Sequence, residues 1–162
     1  MIYILSEAIR TGKTTTLLEW TKNRTDVDGV LCPDNEKGKR YFLKIKSKGI
    51  FSLEVETENI NDIIQVGPFR FLKSAFEKAN DFVISLTSNK ENRYLIIDEL
   101  GKLELKNTGL HASAKMIIPQ YILNDKEHLI LVVRESLLYE IIAHYDISHY
   151  SIIKKEDLVK LD

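Results

Sequence analysis

The chain has 162 residues, of which 44% are hydrophobic and 29% are charged, and these values are typical of a globular protein. Its 23 basic and 24 acidic residues nearly cancel, which argues against a general nucleic-acid binder. No apolar run approaches the roughly 20 residues of a membrane span, and the one cysteine, Cys32, has no partner for an internal disulfide. We therefore expect one domain over residues 1–162, located in the cytoplasm, with neither nucleic acid nor a membrane as partner.

The first 23 residues predict a strand, a tight loop and a helix. Residues 1–5 are a short apolar run rich in isoleucine, which is typical of a buried strand. Between residues 12 and 23 the apolar side chains recur at helical spacing, at Leu17, Leu18 and Trp20.

Residues 30–66 predict a small antiparallel β-excursion. Strands are predicted at residues 30–32, 41–46, 50–56 and 63–66, and apolar and charged residues alternate well in the third of these. Pro33, Asn35 and Gly38 supply turn chemistry between the first two strands. The alternation predicts that one face of the excursion contacts solvent.

The remaining sequence alternates helical and strand-like segments. Helices are predicted at residues 72–86, 110–123 and 135–145, and Pro119 is expected to bend or interrupt the second. Dense apolar runs predict strands at residues 93–99 and 128–133, with a last strand at residues 150–155. This order predicts an α/β sandwich around a mainly parallel sheet.

The segment from Glu7 to Thr14 is close to the phosphate-binding pattern G-x-x-x-x-G-K-[ST], which follows a strand and opens a helix. Gly12 allows close approach to phosphate, Lys13 would bridge the β- and γ-phosphates, and the Thr14 hydroxyl would ligate Mg²⁺. Backbone N–H groups of the loop would meet the phosphate charge. The predicted nucleotide-binding residues are Ala8, Ile9, Arg10, Thr11, Gly12, Lys13, Thr14 and Thr15.

Glu7 departs from the pattern, because glycine usually stands at that place. A side chain there is restricted if the backbone needs a positive φ, and a carboxylate near a triphosphate repels it. We therefore expect Glu7 to weaken nucleotide affinity unless it points outward or pairs with Arg10. Two readings of Arg10 stay open, a phosphate contact or a structural ion pair.

Two carboxylates, Asp98 and Glu99, end the predicted strand at residues 93–99. Ligands of open α/β sheets gather at the carboxyl ends of the strands, so these carboxylates should face the phosphate loop. We predict that Asp98 holds the Mg²⁺ that Thr14 also ligates and that Glu99 activates the attacking water. Adjacent side chains of a strand point to opposite faces, so both can serve the site only where the strand is ending.

Base selectivity and the remaining charged residues are less well defined by the sequence. Asp98 and Gly101 match the Asp-x-x-Gly of GTPases, but the one candidate for a guanine-reading segment, Asn-Lys-Glu-Asn at residues 89–92, precedes this strand and lacks the final Asp. We predict a turn there and no selectivity for GTP. Arg134 is either a cation for the transition state or an ion-pair partner, for example of Glu135. The four histidines show no metal-ligand spacing.

The sequence resembles the THEP family of small P-loop nucleoside-triphosphatases over residues 1–134. The resemblance lies in Asp-Glu-Leu-Gly-Lys-Leu-Glu-Leu at residues 98–105, in Ile-Arg-Thr-Gly-Lys-Thr-Thr at residues 9–15, and in the excursion with the following residues 66–79. It implies a RecA-like P-loop fold and Mg²⁺-dependent hydrolysis of nucleoside triphosphates with little base selectivity. It also implies that Lys102 and Glu104 lie near the site. Lys102 would either neutralise charge on the γ-phosphate or remain a solvated lysine.

The motifs predict a single P-loop NTPase domain, and the resemblance implies that it is a RecA-like three-layer sandwich that hydrolyses ATP, GTP, CTP or UTP with Mg²⁺. The predicted catalytic residues are Lys13, Glu99, Lys102 and Arg134, and the predicted metal ligands are Thr14 and Asp98. Two alternatives remain. The first is a nucleotide or small-molecule kinase, although Arg134 alone is not the arginine-rich lid of such enzymes. The second is a nucleotide-binding module without turnover. The sequence does not define a protein partner.

Overall fold

The computed structural model describes residues 1–56, 61–88 and 91–161, and within these ranges the chain forms nine strands and five α-helices. The strands are β1 (Ile2–Glu7), β2 (Val27–Leu31), β3 (Tyr41–Lys44), β4 (Ile50–Ser52), β5 (Ile63–Val66), β6 (Phe69–Leu72), β7 (Tyr94–Leu100), β8 (His128–Arg134) and β9 (Tyr150–Ile153). The α-helices are α1 (Lys13–Thr21), α2 (Lys73–Leu86), α3 (Lys102–Leu105), α4 (His111–Tyr121) and α5 (Leu138–His144). Short 3₁₀ helices span Glu135–Leu137 and Lys155–Lys160.

Seven of the nine described strands form one sheet, in the order β4-β3-β2-β7-β8-β1-β9. Strands β2, β7, β8, β1 and β9 run parallel, and β3 and β4 extend the β2 edge in antiparallel pairing. Strand β8 lies between β1 and β7. The carboxyl ends of these three strands therefore meet at one edge of the sheet, where open α/β folds bind ligands.

The excursion folds as two antiparallel pieces. Strands β3 and β4 join the main sheet, whereas β5 and β6 form a separate two-stranded sheet. Strand β4 is shorter than the predicted strand at residues 50–56, because the backbone beyond it bonds elsewhere. Leu53 C=O accepts from Leu72 N–H, and Val55 N–H donates to Arg70 C=O. The sequence prediction missed β6, which links the second piece to α2.

Both faces of the sheet are buried, which explains the continuous apolar runs of its central strands. Ile4, Ile97 and Leu131 pack in the larger core cluster with α2, α4 and α5. Their chain neighbours Leu5, Ile96 and Ile130 point to the other face, into a second core cluster. Helix α1 and the C-terminal 3₁₀ helix cover this cluster with Leu17 and Leu158. This arrangement confirms the predicted α/β sandwich.

Several local predictions need correction. Helix α4 continues past Pro119, so the proline does not interrupt it; Pro119 and Lys115 are both exposed, and the carbonyl left without a donor can therefore bond water. Strand β9 ends at Ile153, so the predicted strand is two residues too long: Lys154 lies between the two elements and a 3₁₀ helix begins at Lys155. Asn89 and Lys90 of the predicted turn lie outside the described residues. No helix in the described ranges is long and apolar enough to cross a bilayer.

Candidate functional site

The loop between β1 and α1 folds around the Lys13 side chain. Gly12, at φ 81°, reverses the chain into α1, and such a positive φ favours glycine. The buried Lys13 Nζ donates to Glu7 C=O at 3.1 Å and to Ala8 C=O at 2.8 Å. An ammonium carries three N–H donors, so one remains for a ligand in the cleft. The loop therefore has the shape and the charge that hold a phosphate group.

A hydrogen bond joins this loop to the acidic end of β7. Thr14 Oγ1 donates to Asp98 Oδ2 at 2.9 Å, and Cys32 N–H donates to the same oxygen at 3.0 Å. The Asp98 side chain is only 1% exposed. Burial, reinforced by the neighbouring Glu99 carboxylate, raises the pKa of Asp98 to about 6. A bound cation would favour the ionised carboxylate and oppose this shift.

The donor set at this junction fits Mg²⁺, which prefers oxygen ligands and carboxylates. Thr14 supplies a hydroxyl oxygen beside the Asp98 carboxylate. Within the part of the chain that the structure describes, no group donates to Asp98 Oδ1, so this oxygen is free to take a metal or a metal-bound water. The same ranges contain no cluster of three or more His, Cys, Asp or Glu side chains that could hold a metal by themselves. Any cation here would therefore need phosphate oxygens or water as further ligands.

Glu99 faces the same cleft as Asp98. The peptide bond between them is cis, and the pairing of β7 with β8 shifts register between Asp98 and Leu100. Although β7 continues to Leu100, both carboxylates line one cavity of about 270 Å³ together with the phosphate loop. The sequence analysis expected both carboxylates to serve one site only if the strand ended there. The strand continues, and the shift in its pairing with β8 allows both side chains to face the cavity.

Arg134, at the end of β8, pairs with Glu99. Its Nε donates to Glu99 Oε1 at 2.5 Å. The suggested partner Glu135 instead lies 3.8 Å from Lys154 Nζ. Both partners of the Arg134 pair are partly exposed, so each is accessible from the cleft. The strand order explains the contact, because β8 lies between β1 and β7.

Glu7 does not pair with Arg10 and does not point at the phosphate loop's cavity. Its Oε1 accepts from Lys155 N–H at 2.8 Å, and its Oε2 lies 3.5 Å from Lys155 Nζ. Lys155 Nζ also donates to Thr11 C=O. Glu7 lies within β1 and does not have a positive φ, so its position in the loop does not require glycine. Burial opposes ionisation of Glu7, but the bonds from Lys155 and Thr11 outweigh it and lower the pKa.

The residues after β7 divide into an exposed lysine and a buried glutamate. Lys102 is exposed and lines a second cavity beside the cleft. Glu104 is buried, and its carboxylate accepts from Gly101 N–H at 2.7 Å and from Leu110 N–H at 2.8 Å. Burial raises the pKa of Glu104, against the effect of these bonds. Glu104 thus holds the backbone between β7 and α4, while Lys102 is free to reach a ligand.

Two residues at the site were missed by the sequence analysis. Arg40 lines both cavities, and its guanidinium lies 5.4 Å above the Phe69 ring, with no acidic partner in the described ranges. The sequence signal available for Arg40 was a basic residue directly before a predicted strand. Lys155 contacts Glu7 across 148 residues, and no local pattern predicts such a contact.

A family model described as NTPase matches residues 3–159 of the chain. The chain belongs to this NTPase family. The crystal structure of THEP1 from the hyperthermophile Aquifex aeolicus is similar in fold, with a TM-score of 0.75 and 13% identity over 100% of this chain and 97% of that chain. No curated protein matches the sequence.

These comparisons confirm the resemblance to the THEP family and the α/β P-loop fold. Membership in the NTPase family implies that the chain binds a nucleotide. The cavity at the ends of β1 and β7 is the candidate site. Among the predicted nucleotide-binding residues, Ile9 to Thr15 line this cavity, and Ala8 contributes the carbonyl that accepts from Lys13. The two predicted metal ligands and the predicted base Glu99 border the same space.

Proposed function

We propose that the protein hydrolyses nucleoside triphosphates to nucleoside diphosphate and phosphate in the presence of Mg²⁺. The observation that supports this most is the 2.9 Å hydrogen bond from Thr14 to Asp98, because it joins a phosphate-binding loop to an acidic strand end. Thr14 and Asp98 would have to lie at one place to hold a metal beside the phosphates. The cytoplasm is the expected location of this reaction, since it supplies both nucleotide and Mg²⁺.

The phosphate loop would hold and polarise the substrate. The N–H groups at the start of α1 and the free donor of Lys13 would bind the β- and γ-phosphate oxygens. Thr14 and Asp98 would hold Mg²⁺, which supplies neutralising charge to those oxygens when it is bound. Cationic side chains in and beside the cleft would strengthen this effect. Arg40, Arg134 and Lys102 provide them.

Glu99 would act as the general base. Its Oε1 is held by Arg134, and in the described ranges Oε2 accepts no hydrogen bond, so Oε2 is available to a water in the cleft. The water oxygen would attack the γ-phosphorus, its proton would pass to Glu99, and the bond to the β,γ-bridging oxygen would break. Arg134 would fix the orientation of the base during this step.

Low base selectivity is part of the proposal. The cavity is bordered by loop backbone, by charged side chains and by the apolar Leu18, Pro33 and Val132, and these surfaces suit phosphate and ribose rather than the edge of one base. ATP, GTP, CTP and UTP should therefore all be substrates, within about tenfold of one another in kcat/KM.

The test is phosphate release from the four nucleotides with Mg²⁺, measured for the unaltered chain, Lys13→Ala and Glu99→Gln. We expect both variants to lose at least about a hundredfold in kcat, while Glu99→Gln still binds a fluorescent ATP analogue. Lys22→Ala and Glu19→Gln are matched controls, because Glu19 lies on α1, Lys22 directly follows this helix, and both are exposed. Among the described residues their one ion pair is with each other, at 3.9 Å. Nucleotide binding without any phosphate release from the unaltered chain would show a binding module instead of a hydrolase.

A further inference from the structure

An apolar cavity of about 90 Å³ opens beside the phosphate cleft. Its walls come from three parts of the chain. The excursion contributes Phe42, Leu53, Val66 and Phe71, α2 contributes Phe76, and the segment around α3 contributes Leu103 and Leu110. Hydrolysis by water requires no apolar surface on this side of the γ-phosphate, so the cavity is not explained by the proposed hydrolysis.

The cavity and the phosphate cleft share a boundary of four charged residues and a cysteine. The residues that line both are Cys32, Arg40, Asp98, Glu99 and Arg134. The proposed base therefore lies at the junction, where a group seated in the apolar cavity would meet the γ-phosphate. Its Oε2 accepts no hydrogen bond from the residues that the structure describes, and a hydroxyl at the junction could donate to it.

The size of the cavity restricts what it can hold. A closed apolar cavity of about 150 Å³ binds benzene, and this one is smaller, at about 90 Å³. It suits a short branched aliphatic group or a small aliphatic ring rather than a nucleobase. Phenylalanine, leucine and valine side chains form the apolar part of its lining, and its charged lining residues include the Glu99 and Arg134 that it shares with the phosphate cleft.

We propose that this cavity binds the apolar part of a small aliphatic alcohol and presents its hydroxyl to Glu99 in place of water. The inference rests on the proposed binding of nucleoside triphosphate in the adjacent cleft. The hydroxyl oxygen attacks the γ-phosphorus, the hydroxyl proton passes to Glu99, and the bond to the β,γ-bridging oxygen breaks. The products are an alkyl phosphate, the nucleoside diphosphate and the proton held by Glu99.

The experiment measures how the γ-phosphoryl group divides between water and alcohol. The full chain is incubated with Mg²⁺ and ATP labelled in the γ-phosphate, together with 2-methylpropan-1-ol, 3-methylbutan-1-ol or cyclopentylmethanol. Inorganic phosphate and alkyl phosphate are separated and counted. Glycerol at the same concentration is the polar control, because it has hydroxyls but no apolar group for the cavity.

Variants locate the alcohol. Val66→Phe fills the cavity from the β5–β6 hairpin and should lower alkyl phosphate formation by at least about tenfold, with release of inorganic phosphate changed less than about twofold. Val66 does not line the phosphate cleft. Leu103→Phe is a second filling variant, from the part of the wall that α3 contributes. Ile50→Phe is the control for added bulk, since Ile50 is exposed on the excursion and lines neither cavity.

The outcomes separate this inference from the proposed hydrolysis. Alkyl phosphate that the filling variants suppress and Ile50→Phe does not would support the acceptor site, whether or not water also reacts. Inorganic phosphate release without alkyl phosphate from any of the three alcohols would overturn the acceptor site and leave the hydrolase standing. Equal ester formation with glycerol, or in the filling variants, would also overturn it. Absence of both products would overturn both proposals.

Discussion

At the scale of single residues, Glu7 shows how a departure from a sequence pattern can be structural. A glutamate at the first place of the phosphate loop suggested repulsion of the ligand. The carboxylate instead accepts from Lys155 N–H, and Lys155 Nζ donates to Thr11 C=O within the loop. Glu7 and Lys155 together fasten the loop to the C-terminal segment. The lowered pKa of Glu7 keeps this carboxylate charged at neutral pH.

Glu7→Gln should therefore destabilise the chain in a pH-dependent way. Because its pKa is lower in the folded state, ionised Glu7 contributes stability that is fully present above its ordinary pKa of 4.5 and is lost as pH falls through the folded value. We expect a loss of about 1 kcal/mol in the free energy of unfolding at pH 7. The loss should shrink as pH falls below 4.5. Urea unfolding of the unaltered chain and of Glu7→Gln, at pH 7 and at a pH below 4.5, measures this loss.

Glu19→Gln is the matched control for this prediction, since Glu19 is exposed and its pairing with Lys22 at 3.9 Å is weak. It should change the free energy of unfolding by less than about 0.5 kcal/mol at either pH. A loss in Glu7→Gln that is the same at pH 7 and in acid would mean that charge on Glu7 plays no part in holding the loop.

At the scale of elements, the junction between α3 and α4 is organised by one buried carboxylate. Glu104 accepts from two backbone N–H groups, and Gly109, at φ 66°, passes directly over it. Asn80 of α2 ties the same turn down, since its side chain donates to Gly109 C=O at 2.9 Å and accepts from Ser113 N–H at 2.9 Å. These contacts fix the segment that carries Lys102 beside the cleft.

Gly109→Ala should disrupt this junction more than the equivalent change elsewhere. A Cβ at residue 109 would lie 2.2 Å from Glu104 Oε1, whereas a Cβ at Gly38, with a similar φ of 72°, would meet nothing within 4 Å. The backbone strain of about 1–2 kcal/mol is common to both variants. The clash should add about 1–3 kcal/mol in Gly109→Ala alone.

Urea unfolding of Gly109→Ala and Gly38→Ala measures that difference. Equal losses of free energy of unfolding in the two variants would show that Glu104 moves aside without cost, and that its two backbone hydrogen bonds do not hold the junction.

At the scale of the whole molecule, the sheet is closed on its second face by the C-terminal segment. The 3₁₀ helix Lys155–Lys160 packs on α1, and Leu158 is 0% exposed within the second core cluster. Strand β9 pairs with β1, the strand that leads into the phosphate loop. The C-terminal segment therefore supports the loop from two sides, through the sheet and through Lys155.

Leu158→Ala should lower the free energy of unfolding by about 2–5 kcal/mol, because it removes a fully buried side chain from this core. Val159→Ala is the matched control in the next position, where the side chain is 76% exposed, and it should stay within about 0.5 kcal/mol. Urea unfolding of both variants measures the two changes in the free energy of unfolding. A small loss in Leu158→Ala would mean that the C-terminal segment is dispensable for the second core.

The sequence by itself determined the alternation of strands and helices, the phosphate loop at residues 7–14 and the acidic end of β7. These features depend on local periodicity and on residue types in fixed spacing, which a single segment contains. The same holds for the antiparallel excursion, although not for the length of β4 or for β6.

Only the tertiary structure decided which of these groups meet. The pairing of Arg134 with Glu99 follows from β8 lying between β1 and β7, and the contact of Lys155 with Glu7 joins residues 148 apart. The apolar cavity beside Glu99 exists because the excursion, α2 and the α3 segment converge there. Such contacts depend on strand order and on packing between distant segments, and no local pattern in the chain records them.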